Sequence, residues 1–114
     1  MELYIRPPMD EDLDQLVQVE QQSFPPQEAA TRQALSYRIR TFDGCFFVAQ
    51  AGEQVVGMIN GCATDLPILC DELYLPDSGH NPQGKNQMVF DLAVLPSCRR
   101  QGVGSALLLS LIHI

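Results

Sequence analysis

With 114 residues, 46% of them hydrophobic and 18% charged, the chain has the composition of one globular domain, taken as residues 1–114. The net charge of −7 excludes the basic face of a general nucleic-acid binder and suits a cationic small substrate. No stretch approaches the ~20 apolar residues that cross a bilayer, and the N-terminus lacks the basic and apolar regions of a signal peptide. A cytoplasmic location with no membrane partner is therefore expected.

Leu3 to Arg6 reads as a short strand closed by Pro7-Pro8. Asp10 is placed to cap a helix whose first turn carries Glu11 and Asp12. Leu13, Leu16, Val17 and Glu20 follow at helical spacing, with Phe24 one turn further on. Pro25-Pro26 ends that helix and can open the next, which runs through "QEAATRQALSYRIRTF" to a stop at Asp43-Gly44. Cys45 to Ala49 and Val55 to Ala63 read as a hairpin, with a bend or bulge expected at Gly57 or Gly61. Thr64 to Asn86 is a long polar loop, of a length that is often functional. Met88 to Val94 reads as a central strand, and Ser105 to Ile114 as a helix. The order β-α-α-β-β-loop-β-turn-α is a mixed α/β layer structure. Cys45, Cys62, Cys70 and Cys98 show no Cys-x-x-Cys pair, and only His80 and His113 could join them. Reduced thiols and no metal site are expected.

The segment Arg99-Arg100-Gln101-Gly102-Val103-Gly104-Ser105 lies between strand and helix. A helix N-terminus offers unpaired N–H groups and the positive end of a dipole, and alternate glycines let an anion approach the backbone closely. The arginines add charge for a diphosphate. The pattern is neither Gly-x-x-x-x-Gly-Lys-Ser/Thr nor Gly-x-Gly-x-x-Gly. Taken alone, a solvated surface turn and a phosphate seat fit it equally well.

In its context, Arg99-x-x-Gly102-x-Gly104 after "DLAVLP" resembles the acyl-CoA signature of the GCN5-related N-acetyltransferase (GNAT) superfamily. The likeness is nearest to arylalkylamine N-acetyltransferase and its bacterial relatives, through Glu20-x-x-x-Phe24, "FPPQEAA" and "HNPQGKNQMVFDLAVLPSCRRQGVGSALLL". The resemblance implies a mixed, mainly antiparallel sheet flanked by helices, with acetyl-CoA as cosubstrate. It implies that Leu92, Ala93 and Val94 present a backbone edge to pantetheine and the acyl carbonyl. It also implies that Arg99, Arg100, Gln101, Gly102, Val103, Gly104 and Ser105 surround the pyrophosphate. Phe24 corresponds to an aromatic residue of the amine pocket, or serves as an apolar plug between two helices.

Two departures accompany the likeness. Met88 and Phe90 stand where the animal enzymes carry a pair of relay histidines. Members of the superfamily also continue past the last helix into a further strand, helix and strand, so the fold is expected to lack those elements. The leading expectation is transfer of acetyl from acetyl-CoA to a primary amine of a small molecule, or of a peptide, by direct attack. No Cys–His pair argues for a covalent intermediate. The alternatives are an inactive, shortened domain that binds CoA weakly or serves assembly, and a plain nucleotide-phosphate binder. An exposed edge beside Met88 to Val94 predicts a homodimer or strand exchange.

The backbone N–H of Val94 is the expected oxyanion donor. Candidate bases are Glu20 and Glu28, both near the expected substrate entrance, where Glu28 is also a substrate contact, and His80 in the loop is a base or a substrate contact. Strand alternation places Asp91 on the opposite face from both Phe90 and Leu92. Surface ion pairing is the simpler expectation for Glu20, Glu28 and Asp91. Asp71-Glu72 could attract an ammonium or simply be solvated, and Tyr74 could donate a proton or pack beside its leucine neighbours.

Overall fold

A computed structural model describes residues 2–65 and 83–112. Their order is β1 (Tyr4–Arg6), α1 (Leu13–Ser23), α2 (Arg32–Thr41), β2 (Phe46–Ala51), β3 (Gln54–Thr64), β4 (Asn86–Val94) and α3 (Val103–Ile112). The strands form one antiparallel sheet in the order β1-β2-β3-β4. The mixed α/β fold read from the element order is found, and the mainly antiparallel sheet that the resemblance implied is antiparallel throughout its described strands. β4, expected to be central, is instead an edge among the described strands.

The start of α1 depends on Asp12 and not on Asp10. Residues Asp10–Asp12 form a single 3-10 turn, and the Asp12 carboxylate accepts the Met9 N–H at 2.7 Å. Arg6, on β1, donates both guanidinium arms to the same carboxylate at 2.8 Å, clamping the sheet edge to the helix entrance. Burial alone would raise the Asp12 carboxyl. The Arg6 and Met9 hydrogen bonds and the Arg6 charge outweigh it and hold the group below its ordinary value. A carboxylate with a depressed pKa contributes stability above its unfolded value, and that stability is lost as pH falls through the folded one. Asp12→Ala is expected to cost about 2 kcal/mol or more at pH 7. In denaturant titrations the gap from the parent chain should close as the solution is acidified.

The second helix begins later than the prolines suggested. After α1 the chain turns through Pro26–Glu28, and α2 starts only at Arg32, where Thr31 Oγ1 accepts the Ala34 N–H at 3.1 Å. A threonine cap satisfies an orphan helix donor, which Pro25-Pro26 cannot do, so the cap sets the boundary. α1 and α2 lie over one face of the sheet, burying Leu16, Val19 and Leu35 against Phe46, Val48 and Met58. α3 covers the other face. It closes on Gly57 of β3, where an added Cβ would stand 3.2 Å from Val103 Cγ1 and 3.3 Å from Leu107 Cδ1.

The bulge expected near the β3 glycines is present, and it alters β4. Asn60 pairs with Asp91 but Gly61 pairs with Val89, so β4 carries one extra residue, Phe90, at that point. A second irregularity falls between Ala49 and Gln50 on the β2 side. Gly61 makes the bulge possible. A Cβ there would lie 1.7 Å from the Met88 carbonyl oxygen, a distance no side chain can occupy.

Candidate active site

The bulge breaks strand alternation and brings Asp91 to the face covered by α1 and α2. Asp91 opposes Asn60, and Ala93 opposes Met58. Phe90 also turns to that face, packing edge-on against Phe42 at 5.5 Å between ring centroids. Asp91 does lie opposite Leu92, as alternation requires, but it shares a face with Phe90. This corrects both the placement and the surface role expected for it, since Asp91 is only 5% exposed. Glu20 is likewise no surface ion-pair residue, at 2% exposure.

Glu20, Phe24, Glu28, Ala30, Arg38, Phe90 and Asp91 line one cavity of about 220 Å³. Glu20 Oε2 accepts the Ala30 N–H at 2.6 Å, pinning the connector between α1 and α2 to the cavity wall. Glu20 Oε1 and both Asp91 oxygens are buried with no hydrogen-bond donor among the described residues. Arg38 donates to Asn60 Oδ1 at 3.0 Å, lies over the Phe90 ring at 5.4 Å, and reaches only to 3.9 Å from Asp91 Oδ2. Burial pushes the Asp91 carboxyl up to about 8. The neighbouring Glu20 carboxyl adds to the rise, and the Arg38 charge opposes it. A carboxyl raised to about 8 keeps its proton at neutral pH, so Asp91 is neutral there without a ligand.

Glu28 is exposed at the cavity's outer side. Phe24 is half-buried and also borders a second hollow of about 420 Å³ beside Val17 and Pro26, so it fits both an amine-pocket wall and an interhelical plug. His80, Tyr74, Asp71 and Glu72 lie outside the described residues. Arg38 and Asn60 carry no signal in the sequence, being single polar residues in otherwise regular elements. Asp91 had only an indirect one, the irregularity expected at Gly61 of β3, which the structure expresses as an extra residue in β4.

Towards its C-terminal end β4 presents a different surface. Leu95 donates its N–H to the Val56 carbonyl at 2.8 Å. In an antiparallel ladder the backbone groups of alternate residues point the same way. Ala93 therefore faces β3, and Leu92 and Val94 direct their N–H and C=O to the edge that no described strand pairs. The edge expected from Leu92, Ala93 and Val94 is thus offered by the first and third. The Val94 carbonyl accepts from Arg99 Nε at 3.2 Å and Ser23 Oγ at 3.4 Å.

Beyond that edge Val94, Cys98, Arg99, Arg100, Gly102, Val103, Gly104 and Ser105 enclose a cavity of about 260 Å³. Arg100 and Gly102 both adopt the left-handed conformation, with φ of 64° and 82°. The first amide bonded within α3 is that of Ala106, to Gly102 O at 3.0 Å, which leaves the N–H groups of Val103, Gly104 and Ser105 without intrahelical partners. An added Cβ at Gly104 meets nothing within 4 Å, so an anion can come close to the helix start. Gln101 is not part of this lining; its side chain donates to Ser97 O at 3.4 Å. Among the described residues there is no cluster of metal-ligating side chains, and no helix is long and apolar enough to cross a membrane.

Solved structures share this fold. The loading GNATL domain of CurA from Lyngbya majuscula superposes with a TM-score of 0.86 at 22% identity, over 99% of this chain and 58% of that one. The GphF GNAT-like decarboxylase in complex with isobutyryl-CoA also gives 0.86, at 26% identity over 96% of this chain and 57% of that one. Diaminobutyrate acetyltransferase EctA from Paenibacillus lautus, bound to its substrate and coenzyme A, gives 0.72 at 19% identity, over 97% and 57%. The chain thus spans less than two thirds of the length of each. No curated protein sequence matches it. The profile of the acetyltransferase (GNAT) family matches residues 12–114, and the chain belongs to that family.

Proposed function

We propose that residues 1–114 act as one GNAT-type unit that transfers acetyl from acetyl-CoA to a primary amine of a small molecule. The observation that carries this reading is the continuity of β4. One strand links a carboxyl-lined cavity, a backbone edge that no described strand pairs and an anion cradle at the start of α3. In this reading the free amides of Val103 to Ser105 and the Arg99 and Arg100 side chains hold the pyrophosphate. The edge at Leu92 and Val94 pairs with the pantetheine arm, and the Val94 N–H takes the developing negative charge on the acyl oxygen. The amine lone pair attacks the thioester carbon, the C–N bond forms as the C–S bond breaks, the nitrogen gives its proton to water, and CoA leaves as thiolate. Side-by-side placement on one strand supplies the proximity that such direct attack needs. A second copy, or a segment exchanged with one, is the partner we propose for the rest of the β4 edge.

A second reading has a specific basis in the GphF decarboxylase, which is 26% identical. A decarboxylase must hold an acyl group bearing a carboxylate. The cavity here offers three carboxyls against the single guanidinium of Arg38, and that balance favours a cation.

Calorimetry with CoA, 3′-dephospho-CoA and ATP, followed by thiol release across a panel of amines, tests the proposal. CoA binding with amine-dependent thiol release is expected. Absence of CoA binding would refute the cradle. Binding without thiol release would make the chain a catalytically silent CoA binder. Carbon dioxide release from a carboxylated acyl-CoA would establish the second reading.

A further inference from the structure

Glu20 and Asp91 both line the cavity, and Glu20 Oε1, Asp91 Oδ1 and Asp91 Oδ2 are buried with no hydrogen-bond partner among the described residues. A protonated primary amine carries three N–H donors on one positive centre. Unsatisfied buried acceptors are costly, and two acids packed together without a full complement of donors are costlier still. A chain that keeps them gives up stability for a ligand able to satisfy them. A carboxyl pair that grips an ammonium also favours its charged form, and so raises the pKa of that nitrogen. Nitrogen held there is protonated and has no lone pair with which to attack a thioester.

We infer that Glu20 and Asp91 form a binding site for the non-reacting ammonium of a diamine, whose second amine is the one acylated. The inference rests on the acetyltransferase reading for the fate of the second amine, but the ammonium site itself does not depend on it. Glu20 then has a binding role and not the catalytic one expected from the sequence. Glu28, exposed at the outer side, attracts the cation, while Phe24 and Phe90 flank the methylenes between the two nitrogens. Arg38 is held back from the ligand by Asn60 and the Phe90 ring.

Filling the site requires Asp91 to be ionised. At pH 7 the ligand must displace the proton that Asp91, raised to about 8, would otherwise retain. Affinity should therefore increase with pH through about 8 and decline near 10, where the amine itself loses its charge. Glu20 of α1, Asp91 of β4, Arg38 of α2 and Glu28 of the connector are the charged groups that border the cavity and take part in this balance.

The test is calorimetry of the 114-residue chain with 1,4-diaminobutane and with butylamine, each in two buffers of different ionisation enthalpy. Both amines should bind with release of a proton to the buffer. Glu20→Gln and Asp91→Asn should each weaken binding about tenfold or more, with CoA affinity unchanged as the check on folding. If neither variant folds, proton release by the parent chain still decides, since no other described group bordering the cavity binds an ammonium with that signature. Failure of the parent chain to bind either amine, binding without proton release, or unchanged affinity in both folded variants would each overturn the site. Acetylation distinguishes the two proposals. A diamine that binds through the pair yet releases no CoA thiol overturns the acetyltransferase reading and leaves the site standing. Butylamine acetylated as fast as the diamine, in parent and variants alike, overturns the site and leaves that reading standing.

Discussion

Gly104→Asp should abolish CoA binding and leave the chain at least as stable as before. The position is in the first turn of α3, its added Cβ meets nothing within 4 Å, and its φ is not in the left-handed region. An acid at a helix N-terminus is worth about 0.3–1 kcal/mol to the helix, and replacing glycine adds helix propensity. The same carboxylate would stand in the cradle that the pyrophosphate must enter. Two like charges about 4 Å apart at a near-surface dielectric repel by roughly 4 kcal/mol, which predicts a loss of about 100-fold or more. Calorimetry should show the loss while the thermal midpoint holds or rises. A variant that keeps its CoA affinity would rule out the cradle as the pyrophosphate seat. Gly102→Glu is a weaker probe because φ at Gly102 is 82°, so any side chain there adds backbone strain to the electrostatic effect.

Gly61→Ala should be among the most damaging single changes in the protein. Its new Cβ would fall 1.7 Å from the Met88 oxygen, 2.7 Å from the Met88 carbonyl carbon and 3.1 Å from the Val89 Cα. All three are backbone atoms, so no rotamer change relieves the clash. β4 must move away from β3 or lose its pairing there. We expect a loss of about 3 kcal/mol or more, a large share of the 5–15 kcal/mol that stabilises an ordinary domain. Urea unfolding measures the loss, and CoA affinity should fall with it because the Leu92–Val94 edge shifts. A midpoint equal to that of the parent chain would show that β4 does not press on Gly61.

These two glycines also show what the sequence could reveal. The cradle is legible because its parts are contiguous. Arg99 through Ser105 place the strand exit, the left-handed turn and the helix start within a few residues, and local physics relates them. The hairpin is legible for the same reason, with Gly52 at its turn. The acid site is not local. Glu20 and Asp91 are brought together by the packing of α1 on the sheet, and alternation read along β4 alone separates Asp91 from Phe90, with which it shares a face. Gly61 predicted an irregularity, but its effect is expressed in the partner strand, which no single-strand pattern records. The onset of α2 was hidden differently: Pro25-Pro26 and Thr31 are both plausible helix openers, and only the geometry shows which one closes a hydrogen bond.

The extra residue in β4 bears on how the two ends of the strand could diverge. Val89 pairs with Gly61 and Asp91 with Asn60, so Phe90 sits between two consecutive rungs of the ladder. Removing it would join those rungs without exchanging the faces of any other β4 side chain. Most one-residue deletions in a strand invert everything downstream; this one is in phase. The ring beneath Arg38 and the local bend would be lost, while Asp91 stayed opposite Asn60 and Val94 stayed at the edge. On the proposed reading, insertion or deletion at this point would change the acceptor side of the site and leave the cosubstrate side as it was.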